Sequence, residues 1–391
     1  MIDCQTVRAP GTPSQASRHA VRCALLAAVL CVPLSVQADE GGAHALAQVA
    51  ADTVDAALRP AYATFATEAT TLADSMRTRC AAGAGPDTAT LTTDWRSAVS
   101  AFAGIEFLRI GPLLDDNRLN RLFYWPDKRR AGERQLRELL TEPLASITAD
   151  SMAARSVAVE GFPALERLLF PNGEVAGSEA RCTTAIAVSG HVSAIAAALD
   201  RAWQDDDGIA RQVREPRADD ELLRDHEEVL RRIGTQIDTG LDILIERKLA
   251  PVLEGEVARL RGLPFVRSGT LVDHLRGNVA SLRALMLDNG LAAAAGLESE
   301  LGFEFRIADG HLDRLAELLA PAPQAIGAAH GEVGEVGEVS SADDWPMTLD
   351  EEQAGVVRAL HSVLSSIRNT LRERLLPTLG IRTGFNSEDG D

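Results

Sequence analysis

Residues 155–170, RSVAVEGFPALERLLF, place a carboxylate where an amphipathic helix should be apolar. At about 100° of rotation per residue, with Phe162 at zero, Leu165, Leu169, Val159 and Phe170 share one arc. Glu166 falls inside that arc, while Glu160 and Arg167 point the other way, as a solvated face does. A carboxylate turned into an apolar interior has to be protonated, paired or bound to a cation. Glu166 is therefore a candidate site residue, and its bland alternative is a structural pair with a buried arginine. Gly161-Phe162-Pro163 breaks the local pattern as well. Either a helix kinks at Pro163 and frees the carbonyl of Val159, or the helix starts there with Pro163 in its first turn.

A second inward carboxylate lies upstream. With Trp95 at zero, Val99, Phe102, Glu106 and Arg109 form one stripe, so this acid comes with an arginine one turn away. Arg267, Ser268 and Asn278 also step out of an apolar pattern. Two inward glutamates with a tyrosine such as Tyr124 or a histidine would supply the hard oxygen ligands suited to iron, calcium or manganese. Without a metal the same residues close into a Glu–Arg network. No catalytic residue is assigned. The stretch His226-Glu227-Glu228-Val229-Leu230 lacks the second histidine of HExxH, and no P-loop, dinucleotide fingerprint or GxSxG elbow occurs. His44, His191, His226, His311, His330 and His361 have no carboxylate at ligand spacing; His274 borders the core stripe of its helix.

The chain that must position these groups has 391 residues, enough for two ordinary domains. Residues 1–38 read as a secretory signal: Arg18 and Arg22 precede an apolar run from Cys23 to Val36, and Val36-Gln37-Ala38 is a small-residue cleavage pattern. The run is short for a membrane span, no second hydrophobic segment supports an anchor, and no transmembrane segment is expected once the signal is gone. Removing it takes away Asp3 and three arginines and moves the formal charge from −18 to −20. So acidic a surface argues against nucleic acid and anionic lipid as partners and suits cations or basic surfaces. Lys128 and Lys248 are the two lysines; the other basic residues are arginines. Three of the five cysteines lie in the signal, and Cys80 and Cys182 are expected to be bridged in an oxidising compartment.

From residue 43 onward the chain is rich in Ala and Leu and poor in aromatics and β-branched runs, which predicts an all-α protein. Expected helices run from Ala43 to Cys80, from Thr93 (as cap) to Gly111-Pro112, to about Leu140, through the Glu166 segment, and from Ser178 to Trp203. In the second half they run from Asp219 to Leu260, from Thr270 to Leu287 with a capping box at Thr270-Asp273, from Asp309 to Leu319, and from Leu349 to Leu376. Residues 121–130, RLFYWPDKRR, form an aromatic connection whose rings plug one end of a bundle. AAGAGPD and PNGEVAG are loops. The expected organisation is a signal (1–38), an N-terminal bundle (39–205), a charged linker (206–218) and a C-terminal bundle (219–391) carrying a mobile acidic loop at 321–346 with the triple GEVGEVGEV.

Four stretches together resemble the imelysin family: the Trp-Arg…Glu…Arg…Gly-Pro segment (95–112), FYWPDKR (123–129), GFPALERLLF (161–170) and RSGTLVDHLRGNVASL (267–282). The resemblance implies two related helical-bundle halves packed together. It also implies an exported, periplasmic bacterial protein, with peripheral outer-membrane association open to it, and a link to iron acquisition. The family is marked by GxHxxE, whose His and Glu are proposed metal ligands. Here the motif reads Gly161-Phe162-Pro163-Ala164-Leu165-Glu166, and proline cannot ligate through its side chain. A peptidase site of the family type has therefore lost a ligand.

The leading expectation is a non-peptidase protein of iron uptake that binds a metal ion, a metal chelate or an uptake component between the halves. Glu106 and Glu166 are its metal-facing acids, for iron or another divalent cation. Arg109, Gly161, Pro163, Arg267, Ser268 and Asn278 make up the rest of the binding site. Two alternatives stay open: a metallopeptidase whose missing histidine is supplied by His274, and a docking protein for a membrane transporter.

Overall fold

A computed structural model describes residues 35–81, 88–170, 178–220, 223–260, 262–320 and 348–381. Helices α1 (Ser35–Asp52) and α2 (Arg59–Ala81) run on from one another through a π turn at Thr53–Leu58. They are followed by α3 (Thr88–Ile105), α4 (Arg118–Leu122), α5 (Ala131–Leu139), α6 (Gly161–Leu169) and α7 (Glu179–Gln204). The second half contains α8 (His226–Asp242), α9 (Leu271–Arg283), α10 (Glu298–Leu319) and α11 (Glu351–Thr370). The described residues contain one isolated bridge, Arg259 to Thr348, and no β-strand. The all-α expectation is met. The chain divides into Met1–Ala45, described only for the opening of α1, and one compact unit, Leu46–Asp391.

Within that unit α2 packs between α7 and α3, α3 against α9, α9 against α10, and α10 against α11. A single apolar cluster runs through all of them, from Val49 to Ile381. Close approach of α3 and α9 requires Gly277, because a Cβ there would stand 2.5 Å from the carbonyl oxygen of Ser100. Phe102 and Phe162 stack with ring centroids 4.9 Å apart, and Trp95 meets Phe162, Phe170 and Phe265, so one aromatic cluster ties α3, α6 and the segment before α9. Phe123 belongs to it, at 5.2 Å from Phe102 and 5.7 Å from Phe265.

Several boundaries differ from the sequence reading, each for a local reason. α3 starts at Thr88, so Thr93 is no cap; its hydroxyl donates to the Ala89 carbonyl inside the helix. It ends at Ile105, and Arg109 lies in the turn beyond. Thr270 precedes α9 without capping it, because its hydroxyl is engaged by Trp95 and Ser268. α8 starts at His226, capped by Asp225, and α10 starts eleven residues before the expected Asp309, its stripe Leu301, Phe305, Ala308, Leu312 and Leu315 diluted by Gly302 and Gly310. α7 is long and apolar enough to cross a membrane by length and composition, contrary to the expectation that no second hydrophobic segment exists. Its Val188, Val192, Leu199 and Trp203 are buried in the protein core. Residues 1–34 of the expected signal, the stretches 82–87 and 171–177 expected to be loops, and 321–347 of the expected acidic loop, with His330, lie outside the described residues.

Cys80 at the end of α2 and Cys182 in α7 are bonded, with Cα atoms 5.7 Å apart and a sequence separation of 102. Closing so long a loop restricts the unfolded chain by about 4–5 kcal/mol on the chain-entropy account. Replacing both cysteines by serine is expected to lower the urea midpoint substantially without altering the helical circular dichroism signal. An unchanged midpoint would show that the bridge contributes little.

Candidate functional site

Two buried polar centres lie on either side of Phe265. The first is built around Lys248, which is completely buried, as few lysines are. It stands in a π turn, Ile243–Leu249, that continues α8, and such turns shift the register of the residues after them. Its Nζ lies 2.8 and 3.0 Å from the two oxygens of Glu106, 2.7 Å from Asn278 Oδ1 and 2.8 Å from His274 Nε2. Asn278 Nδ2 donates both to Glu106 and to the Ala103 carbonyl, each at 2.9 Å. The rings of Phe107 and Phe123 flank the ammonium at 5.3 and 6.0 Å, adding cation–π attraction.

Burial alone would raise the Glu106 carboxyl, but the Lys248 charge, with His274 and the hydrogen bonds from both, outweighs it and holds Glu106 far below the usual carboxylate range. Burial pulls Lys248 below its ordinary value, against the opposing pull of Glu106. Burial, and then the Lys248 charge, push His274 down to about 4, so the imidazole is neutral at ordinary pH. His274 Nε2 is also 3.1 Å from Glu106, and its ring packs 4.7 Å from that of Phe265. The group is an ion pair with a neutral histidine and an amide filling its remaining coordination, sealed by aromatic rings.

The second centre holds Glu166. Residues 155–170 do not form one helix: α6 begins at Gly161, and Pro163 sits in its first turn, where a missing N–H costs nothing. Glu166 accepts from the N–H of Phe265 (3.3 Å), the N–H of Ser268 (3.0 Å) and the Ser268 hydroxyl (2.9 Å). Phe265 adopts φ +63°, in the left-handed region, at the turn that presents these donors. Burial raises the Glu166 carboxyl above its ordinary value, and the Ser268 bonds, Arg167 and Arg267 only partly offset this. Glu166 lines a cavity of about 320 Å³ with Tyr124, Trp125, Pro163, Arg167, Pro264 and Arg267.

Glu160 corrects the helical-wheel reading. It lies outside the helix and is completely buried, bonded to Arg121 and to His191 Nε2, each at 3.1 Å. His191, expected to have no carboxylate partner, therefore has one. Next to it Gly161 has φ +72°, and a Cβ there would stand 2.2 Å from the Leu122 carbonyl oxygen. Only glycine fits, which accounts for the first position of GFPALE.

The structure groups the predicted residues into two sets. Glu106 and Asn278 belong to the Lys248 centre, and Arg109, half-buried, lines a small cavity of about 60 Å³ beside Glu106. Pro163, Glu166, Arg267 and Ser268 belong to the second centre, with Gly161 beneath it. Glu106 and Glu166 line separate cavities, because Phe265 comes between, its N–H on Glu166 and its ring on His274. The counter-ion seated on Glu106 is Lys248, where the sequence reading had looked to Arg109. The signal for Lys248 was available: it follows Leu241, Leu244 and Ile245 by seven, four and three residues, so it sits on an apolar stripe as Glu166 does.

An all-α protein with a buried ion pair beneath a ligand-sized cavity is the class that fold and site define. The chain belongs to the imelysin family, whose model, described as Imelysin and labelled as peptidase M75, matches residues 58–334. Its fold is similar to that of an imelysin-like protein from Psychrobacter arcticum 273-4, at 22% identity and TM-score 0.64, covering 88% of this chain and 98% of that one. It is also similar to a putative iron-regulated protein A precursor from Parabacteroides distasonis ATCC 8503, at 14% identity and TM-score 0.58, covering 84% and 95%. No curated protein matches the chain.

The residues at the family's GxHxxE position do not fit a resident metal. Pro163 offers no side-chain donor atom, and both oxygens of Glu166 accept hydrogen bonds from protein donors. Among the described residues no group of three or more His, Cys, Asp and Glu side chains is disposed to hold an ion.

Lys248→Met leaves the Glu106 charge buried without its counter-ion and should cost about 3–5 kcal/mol in urea unfolding. Adding Glu106→Leu should recover most of that loss, and a double variant no more stable than the single one would refute the pairing. The His274 shift fixes a pH window. The unfolded imidazole takes a proton near 6.5 that the folded one resists until about 4, so stability is present above 6.5 and is lost as pH falls toward 4. Urea midpoints measured from pH 7 to 4.5 should fall, with a shallower slope for His274→Gln.

Proposed function

We propose that this protein is an exported, periplasmic binding protein of iron acquisition, without peptidase activity, and that it holds its ligand in the cavity beside Glu166. The observation that carries this reading is the state of the two inward acids. A hydrolytic site needs a metal-bound water or a free base, yet Glu106 is neutralised by Lys248 and Glu166 is committed to Phe265 and Ser268. What is left for function at this motif is the space that Glu166, Pro163 and the 123–130 connection enclose.

The Cys80–Cys182 bridge supports export, since such bonds persist in oxidising compartments. The link to iron rests on the family and on the neighbour described as an iron-regulated protein precursor. Iron, or another divalent cation, enters as cargo within the ligand. The partner that receives it is a component of an iron-uptake system, and its docking face is basic where it meets this acidic chain.

Incubated with a denatured protein and added zinc or iron, the purified protein should leave the substrate intact. Deleting its gene should slow growth of the host under iron limitation. Cleavage that stops on chelation, or unimpaired growth of the deletion strain, would overturn the proposal.

A further inference from the structure

The Lys248 centre brings together groups that can react with one another. A primary amine, a carboxamide and a carboxyl meet there in a space closed to water: Lys248, Asn278 and His274 are wholly buried and Glu106 is 3% exposed. One carboxyl oxygen, Glu106 Oε2, stands 2.8 Å from Lys248 Nζ and 2.9 Å from Asn278 Nδ2. It therefore touches both nitrogens of an exchange at the carboxamide, the one that would enter and the one that would leave. Nζ also lies 2.7 Å from Asn278 Oδ1, which places the carboxamide carbon one bond beyond. In water an amine seldom attacks an amide, but here the two are held in one group, and the freedom lost in bringing them together has already been given up in folding.

We infer that Lys248 and Asn278 form a modification site, joining in an intramolecular amide bond with release of ammonia while Glu106 carries the protons. Nζ first passes one proton to Glu106 and becomes a neutral amine. Its lone pair attacks Asn278 Cγ once the carboxamide has turned about the Cβ–Cγ bond, a soft torsion that leaves Cγ in place. As the Cγ–Nδ2 bond breaks, Glu106 gives its proton to Nδ2 and takes the second proton from Nζ; ammonia departs, Glu106 ends protonated, and nothing is oxidised or reduced. Burial weighs against the charged forms of both Lys248 and Glu106, which favours the first transfer. The product replaces two buried charges by a neutral amide and a neutral acid, and so removes the desolvation cost of the pair. The rings of Phe107, Phe123 and Phe265 keep water from intercepting the intermediate, and the cavity of about 60 Å³ that Glu106 lines has room for the departing ammonia. The bond ties the π turn after α8 to α9, as the disulfide ties α2 to α7.

Peptide mass spectrometry of the purified full chain, folded and then reduced, denatured and digested with trypsin, tests this. Trypsin cuts after a free lysine, so it should leave the Lys248–Leu249 bond intact and yield residues 248–259 joined to residues 277–283, lighter by one ammonia than the two peptides together. Asn278→Ala should abolish the joined peptide. Glu106→Gln should slow its formation on the order of a hundredfold or more, so that unlinked chain accumulates. The wild-type digest decides without either variant: cleavage after Lys248, with residues 277–283 at their unmodified mass, overturns the inference. A joined peptide that forms as fast in Glu106→Gln overturns the role given to Glu106.

Discussion

The pairing of Lys248 with Glu106 is the constraint on which the middle of this molecule depends. Removing two charges from water is so costly that polar groups from several elements have to compensate for it. The end of α3 brings Glu106, the π turn after α8 brings Lys248, and α9 brings His274 and Asn278. Asn278 reaches back to the Ala103 carbonyl, so the polar cluster also fixes the depth at which α9 lies on α3. Gly277 permits that depth by leaving the Ser100 carbonyl uncovered. Aromatic rings then close the group off, which strengthens the attraction between the charges by the same exclusion of water that made them costly to bury.

Phe265 carries this order across to the cavity. Its ring lies on His274 and its backbone N–H on Glu166, so the sealed centre and the lined cavity share a wall. The family motif keeps its glycine because a side chain would strike the Leu122 carbonyl, and keeps its glutamate as the acceptor that holds residues 265–268 in their turn. With Pro163 in the remaining position, the motif shapes a helix start and a cavity wall instead of presenting an imidazole.

Much of this was legible in the chain. Glu106, Glu166 and Asn278 were visible as polar residues on apolar stripes, and all three are buried. Lys248 carries the same signal within a longer and less regular stripe. Glu160 was misread because a helical wheel assumes a helix, and Gly161 interrupts it; one residue before the start of α6, the side chain turns to Arg121 and His191. Thr93 and Thr270 have the composition of caps, but helix extension took the first and the Trp95 indole and Ser268 hydroxyl took the second.

Sequence by itself determined the helical class, the expectation that Cys80 and Cys182 pair, and which of several polar side chains turn inward, because those properties follow from composition, count and a period of 3.6 residues. Tertiary structure decided who meets whom. Lys248 reaches Glu106 across 142 residues, Ser268 reaches Glu166 across 102, and Phe265 divides the two acids. Periodicity states the face on which a side chain stands, but the partner on that face is chosen by how helices cross, and crossing is settled only when the whole core packs.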